Sequence, residues 1–130
     1  MQLLQNKAMR AILNRIRYGG VKDMLNELNI KLNVNEKLLL LNYIFIHKIV
    51  HKHLPEYLSR NLTFVNEIHR YNTRTASNIY IPKTCKVSVF KSLFWEGLIN
   101  YNKLPLYIRA TEDIQTFKKL GEQHIRSQRN

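Results

Sequence analysis

The sequence predicts a mainly α fold: a small helical bundle around a central hydrophobic helix at about residues 34–53, with an irregular arm and room for a short β-hairpin at about 78–88. Three observations carry this. Apolar residues recur at helical spacing through residues 1–59 and again through 89–126. Between those halves, in residues 60–88, asparagine, threonine and proline interrupt the periodicity. Finally, 130 residues with 45% apolar content suffice for one domain with one modest core, so residues 1–126 read as a single domain and 127–130 as a frayed tail.

Taken in order, residues 3–17 carry Leu4, Ala8, Met9, Ile12, Leu13 and Ile16 at helical spacing, with Lys7, Arg10, Asn14, Arg15 and Arg17 mostly off that stripe. This predicts an amphipathic basic helix. Gly19-Gly20 should stop it, because glycine loses the most backbone entropy in a helix and readily takes the positive φ of a C-terminal cap. A short helix follows, marked by Val21, Met24, Leu25 and Leu28, with Asp23 and Glu27 on the wet face and Asn29 closing it. Asn33 with Glu36 three residues on has the spacing of a capping box, opening the long helix. Leu38 to Leu41, Tyr43 to Ile46, Ile49 and Val50 are apolar on nearly all sides, so this segment should run through the middle with other helices packed around it. Pro55 ends it or opens the next turn, Glu56-Tyr57-Leu58-Ser59.

In the arm, only Ile79-Tyr80-Ile81 and Lys86-Val87 look extended. Ser88 can cap a further helix that buries Phe90, Leu93, Phe94, Gly97, Leu98 and Tyr101 and ends at Leu104-Pro105. Thr111 or Asp113 caps the last helix, with Ile114, Phe117, Leu120 and His124 inward and Lys118, Lys119 and Arg126 outward.

The charge points to an anionic partner. With 21 Lys and Arg against 9 Asp and Glu, the formal charge is +12, and a polyanion would relieve the self-repulsion. Phosphate backbones gain further from counterion release, while anionic membrane surfaces and acidic proteins stay open. The solitary Cys85 can form neither an internal disulfide nor a thiolate-rich zinc site, which suits an intracellular chain. Residues 1–10 lack the apolar run of a secretory signal, and residues 38–50, broken by Asn42, His47 and Lys48, fall short of a membrane span.

Catalytic chemistry is harder to assemble. Two-metal polymerase or nuclease chemistry needs clustered carboxylates, and the aspartates are Asp23 and Asp113, the latter placed with Glu112 to cap a helix. His47 and His51 have ligand spacing, with His53 close behind, but H-E-x-x-H is absent and core-edge histidines are the alternative. Cys85 and His69 share only a loop region, and no phosphate-cradling glycine motif occurs. No metal, cofactor or small-molecule substrate is implied. The segment His69-Arg70-Tyr71-Asn72-Thr73-Arg74 differs in concentrating two guanidiniums and an aromatic ring in a loop. Tyr71 could stack on a base while Arg70 and Arg74 bond phosphates. Alternatively Tyr71 plugs the core and Arg74 caps a helix or pairs with a carboxylate. Lys7, Arg10, Arg15 and Arg17 on the first helix complete the candidate nucleic-acid-binding set.

Five segments occur in an order that resembles a known family: Leu4-Gln5-Asn6-Lys7-Ala8-Met9-Arg10, Leu54-Pro55-Glu56-Tyr57-Leu58, the run from His69 through Arg74, Ser92-Leu93-Phe94-Trp95-Glu96-Gly97 and Tyr101-Asn102-Lys103-Leu104-Pro105. Phe117-Lys118-Lys119-Leu120 also fits. Together they resemble the C-terminal region that follows the polymerase core in non-LTR retrotransposon reverse transcriptases of the jockey-like kind. The resemblance implies a helical accessory segment that helps hold element RNA or target DNA beside an upstream polymerase domain. The polymerase aspartate motif and zinc-knuckle cysteines have no counterpart here, so polymerase and endonuclease activity do not carry over. Two alternatives stand beside a nucleic-acid contact: a structural or protein-interaction module that packed on the polymerase thumb, and a degenerate element fragment without function.

Overall fold

The computed structural model describes residues 1–14, 20–60, 62–83 and 93–129. The described helices are α1 (Gln2–Ile12), α2 (Val21–Glu27), α3 (Val34–Val50), α4 (Glu56–Ser59), α5 (Val65–Ile68), α6 (Leu93–Asn102), α7 (Leu106–Arg109) and α8 (Ile114–Gln128). Among the described residues the β structure is one isolated antiparallel bridge between Phe64 and Ile79. The mainly helical fold class therefore holds. Ile79 pairs with the preceding Phe64; the downstream part of the predicted hairpin, Lys86 and Val87, lies outside the described residues, as do Ser88 and Phe90.

Helix α3 organises the core, and its start is the local device that the Asn33 spacing predicts. Asn33 Oδ1 accepts from the Glu36 amide at 2.9 Å while Glu36 Oε2 accepts from the Asn33 amide at 2.8 Å. Its end comes at Val50, three residues before the predicted limit. Lys52 turns left-handed at φ 57, and the amides of His53 and Lys52 donate to the carbonyls of Lys48 and Ile49, closing the helix in a Schellman motif. Asn29, at φ 54, closes α2 in the same way.

One face of α3 packs on α6 and α8. There Leu40, Tyr43, Ile46 and Ile49 meet Leu98, Tyr101, Leu104, Ile108, Phe117 and Ile125. Glycine sets the closeness of these crossings: a Cβ on Gly97 would lie 3.2 Å from Ile46 Cγ1, and one on Gly121 3.1 Å from Leu40 Cδ1. The opposite face is bare. Leu38, Leu41 and Phe45, at i, i+3 and i+7, are 48%, 53% and 41% exposed, so among the described residues the expectation of helices all around α3 is met on one side.

The first helix also departs from its predicted length. It stops at Ile12, because Asn14 adopts φ 48 and supplies the left-handed cap that Gly19-Gly20 were expected to give. Gly20 instead has φ −59 and N-caps α2, while residues 15–19 lie outside the described set. Met9 joins Met24 and Leu25 in a second small core, flanked by Leu13, Val21, Leu28 and Ile30. Leu4, Ala8 and Ile12, expected inward, are exposed. Gln5 Oε1 accepts from the Val34 amide at 2.9 Å and ties α1 to the start of α3.

Asp113 caps α8, accepting from the Thr116 amide at 2.7 Å and its hydroxyl at 2.6 Å. Phe117, Gly121 and Ile125 take the inward positions, leaving His124 at the edge. Ser127 and Gln128 continue α8 rather than fray, and Arg129 is docked. Arg129 donates from Nε to Glu36 Oε1 at 2.8 Å, from a terminal nitrogen to Glu36 Oε2, and to the Lys31 carbonyl at 3.1 Å. Burial opposes ionisation of Glu36, but the Arg129 and Asn33 hydrogen bonds and the Arg129 charge together hold its pKa below the usual value. Arg129→Ala should therefore cost about 2 kcal/mol, the scale of a hydrogen bond to a charged group, read as a lower denaturant midpoint. A free tail would leave the midpoint unchanged. Among the described residues no helix is long and apolar enough to cross a membrane.

Candidate nucleic-acid interface

The arm doubles back on itself before it meets the bundle. The Val65 amide donates to the Asn78 carbonyl at 3.0 Å, Asn66 to Ala76 at 3.1 Å and Tyr80 to Thr63 at 2.7 Å, so residues 63–66 run beside 76–80. Residues 67–75 are thereby lifted out as a loop. Turn hydrogen bonds from Ala76 to Thr73 and from Asn78 to Thr75 hold its returning limb.

Two side chains fasten the base of this loop. Asn102, the last residue of α6, donates from Nδ2 to the Ile79 carbonyl at 2.8 Å and accepts from the Ile79 amide at 2.9 Å. Its amide group stands in for a neighbouring strand, satisfying both backbone groups of a buried residue. Arg109, at the end of α7, donates to Asn78 Oδ1 at 3.0 Å and to the Ser77 carbonyl at 3.3 Å.

Behind them sit the histidines of α3. His51 donates from Nε2 to the Arg109 carbonyl at 3.1 Å, and His47 Nδ1 shares a hydrogen bond with the Tyr101 hydroxyl at 3.2 Å. The His47 ring stacks on Phe117 with centroids 3.7 Å apart, and the His51 ring lies 4.1 Å away. Burial chiefly, helped by the neighbouring His51 charge, lowers the His47 pKa to about 4, although a backbone contact with Thr111 acts in the opposite sense. Burial pushes the Tyr101 hydroxyl up to about 12. These rings serve as core-edge packing and bonding groups. Among the described residues no three His, Cys, Asp or Glu side chains gather to hold a metal.

Residues 69–74 are all exposed, and Tyr71 is 82% exposed, so Tyr71 does not plug the core. Among the described residues neither Arg70 nor Arg74 has a hydrogen bond or ion pair, and Arg74 caps no helix. Lys7 is exposed on α1, whereas Arg10 is half-buried with an unbonded Nε. Arg15 and Arg17 lie outside the described residues. The two basic sets stand on separate supports: α1 packs on α2 and α3, while the loop hangs from Asn102 and Arg109.

Asn102 and Arg109 were not singled out by sequence reasoning. The available signal was slight: an Asn beside a core Tyr at a helix end, and an Arg closing the short turn after Pro105. The fold and the loop define a basic, mainly helical domain that displays an arginine- and tyrosine-bearing loop. No protein family, curated protein or solved structure matches the chain.

Proposed function

We propose that this chain is a non-catalytic C-terminal accessory segment of a retroelement reverse transcriptase that contacts RNA or DNA phosphates through a basic surface. The observation that carries this is the loop of residues 69–74. Arg70, Tyr71 and Arg74 stand in solvent without partners among the described residues, on a base held by Asn102 and Arg109. A rigidly based loop that presents guanidiniums beside an aromatic ring suits splayed bases and their phosphates. The segments that carry the family resemblance coincide with joints of the fold. Tyr101 bonds His47, Asn102 holds Ile79, Leu104 is buried, and Pro55 and Pro105 open short helices.

Three of the nine carboxylates lend support to the absence of chemistry in this proposal. Asp113 caps α8, Glu36 is shared between Asn33 and Arg129, and Glu67 accepts from the Phe64 amide at 3.3 Å. Each is spent on structure.

The test is direct. Arg70→Ser with Arg74→Ser should make the salt dependence of duplex binding shallower by roughly 1.8 in log affinity per log salt, two phosphate contacts' worth. Tyr71→Ala should weaken single-strand binding by about 1–3 kcal/mol with a smaller effect on duplex. Variants that bind like the parent chain would refute the role of the loop.

A second reading has its own observation. The bare stripe of Leu38, Leu41 and Phe45 on α3 favours a protein-interaction module that packs on an upstream polymerase domain. Trp95, another candidate for such a patch, is half-buried against the core and edge-on to Phe94. Self-association in solution scattering, relieved by Leu41→Lys, would favour this reading.

A further inference from the structure

We infer that a second nucleic-acid contact runs along a groove beside α2 and α8, in which cationic side chains cradle a phosphate backbone. The inference rests on the functional reading above but uses none of the loop residues. Three adjoining hollows form the groove. The first, of about 370 Å³, is lined by Lys22, Asn26, Gln123, Arg126, Ser127 and Arg129, with no apolar residue among them. Another, of about 310 Å³, has Lys31, Lys37 and Lys118 in its wall beside Ile30, Leu32 and Leu40. A hollow of about 100 Å³ shares Asn26 and Arg126 with the first and Lys31 with the second, and so joins them.

The charge on this path is one-sided. Among the described residues six cations line it, against one carboxylate, Glu122. Arg129 is already neutralised by Glu36. By contrast, the side chains of Lys31, Lys37, Lys118 and Arg126 have no hydrogen bond or ion pair among the described residues. Glu122 stands one helical turn from both Lys118 and Arg126, yet pairs with neither. Like charges gathered this way repel one another, and a bound polyanion would remove that repulsion and release its own counterions.

Shape and lining select the polyanion. A planar membrane surface cannot follow a concave path between helices. A docked acidic peptide would want an apolar anchor, which the first hollow does not offer; Leu25, Ile30, Leu32 and Leu40 line only the other two, and there Leu25 and Leu40 are buried in the core. Asn26 and Gln123 instead supply neutral amide groups suited to phosphate and sugar oxygens. From Lys118 to Arg126 the helix advances about 12 Å, room for several consecutive phosphates.

The experiment uses the full chain carrying Lys31→Gln, Lys118→Gln and Arg126→Gln, and measures binding of a short labelled single-stranded oligonucleotide across a salt series. The expected result is affinity reduced about tenfold or more at moderate salt, and a salt slope shallower by roughly 2, for three lost phosphate contacts. Thermal unfolding should match the parent, since none of the three side chains has a bonding partner to lose. If the triple variant keeps parental affinity and slope while the Arg70 and Arg74 variant weakens, the groove is overturned and the functional reading stands. If the parent chain itself binds no oligonucleotide at low salt, the functional reading fails and the groove fails with it. Displacement of the oligonucleotide by anionic vesicles, on equal terms with unlabelled RNA, also overturns the groove.

Discussion

Phe117→Ala is expected to lower folding stability by about 3–5 kcal/mol, the range for truncating a fully buried aromatic. Phe117 is 0% exposed, and its ring stacks on His47 and lies against Tyr101. It is therefore the side chain through which α8 closes the core over α3. Its loss leaves a cavity that α8 cannot fill, because Gly121 and Leu40 already hold the two helices at contact distance. Against the roughly 5–15 kcal/mol total stability of a domain, such a loss brings the chain near its threshold. The check is the urea midpoint, with the slope of the transition unchanged. A loss under about 1 kcal/mol would contradict the packing described for α3 and α8.

The second large effect is acid sensitivity centred on His47. Its folded pKa is depressed to about 4 from the ordinary 6.5, chiefly by burial. Well above pH 6.5 the ring is neutral in both the folded and unfolded chain, so it adds no pH dependence there. Between about pH 6.5 and 4 the unfolded chain takes up the proton while the folded one resists it, so stability falls as pH falls. The full difference corresponds to roughly 3 kcal/mol. Glu36 and Asp113, whose pKa values are lowered, act through the carboxylate range at the bottom of this window and below it. The upper part thus belongs to the histidine. His47→Gln, which keeps a polar group for Tyr101, should flatten the fall in stability from pH 6.5 to 5. An unchanged slope in that variant would contradict the assignment. The consequence reaches the loop, because Tyr101 and Arg109 bond the same histidine pair, and Arg109 and Asn102, next to Tyr101 in the chain, hold the arm.

How much of this was legible in the sequence depended on how local each cause is. The Asn33 and Glu36 capping box and the Asp113 cap need only three-residue spacing, and both formed as read. The end of α1 is equally local, yet it falls at Asn14, read in the sequence as an off-stripe residue, ahead of the expected stop at Gly19-Gly20. Apolar content showed that α3 belongs in the core. It could not show which face would stay bare, because Leu38, Leu41 and Phe45 look no different from Leu40, Tyr43 and Ile46 until α6 and α8 are in place. For the site, the run of residues 69–74 was visible as chemistry, whereas its exposure depends on Asn102 and Arg109, which lie 23 and 31 or 32 residues from their partners. The docking of Arg129 on Glu36 spans 93 residues and had no local signature.

The most direct test of the central claim, a phosphate-binding segment that works through charge and a displayed loop, is the affinity of the parent chain for nucleic acid across a salt series. For about five phosphate contacts on duplex DNA, log affinity should fall with log salt at a slope of roughly −4.5. Binding that is flat in salt, or no binding at low salt, would contradict it.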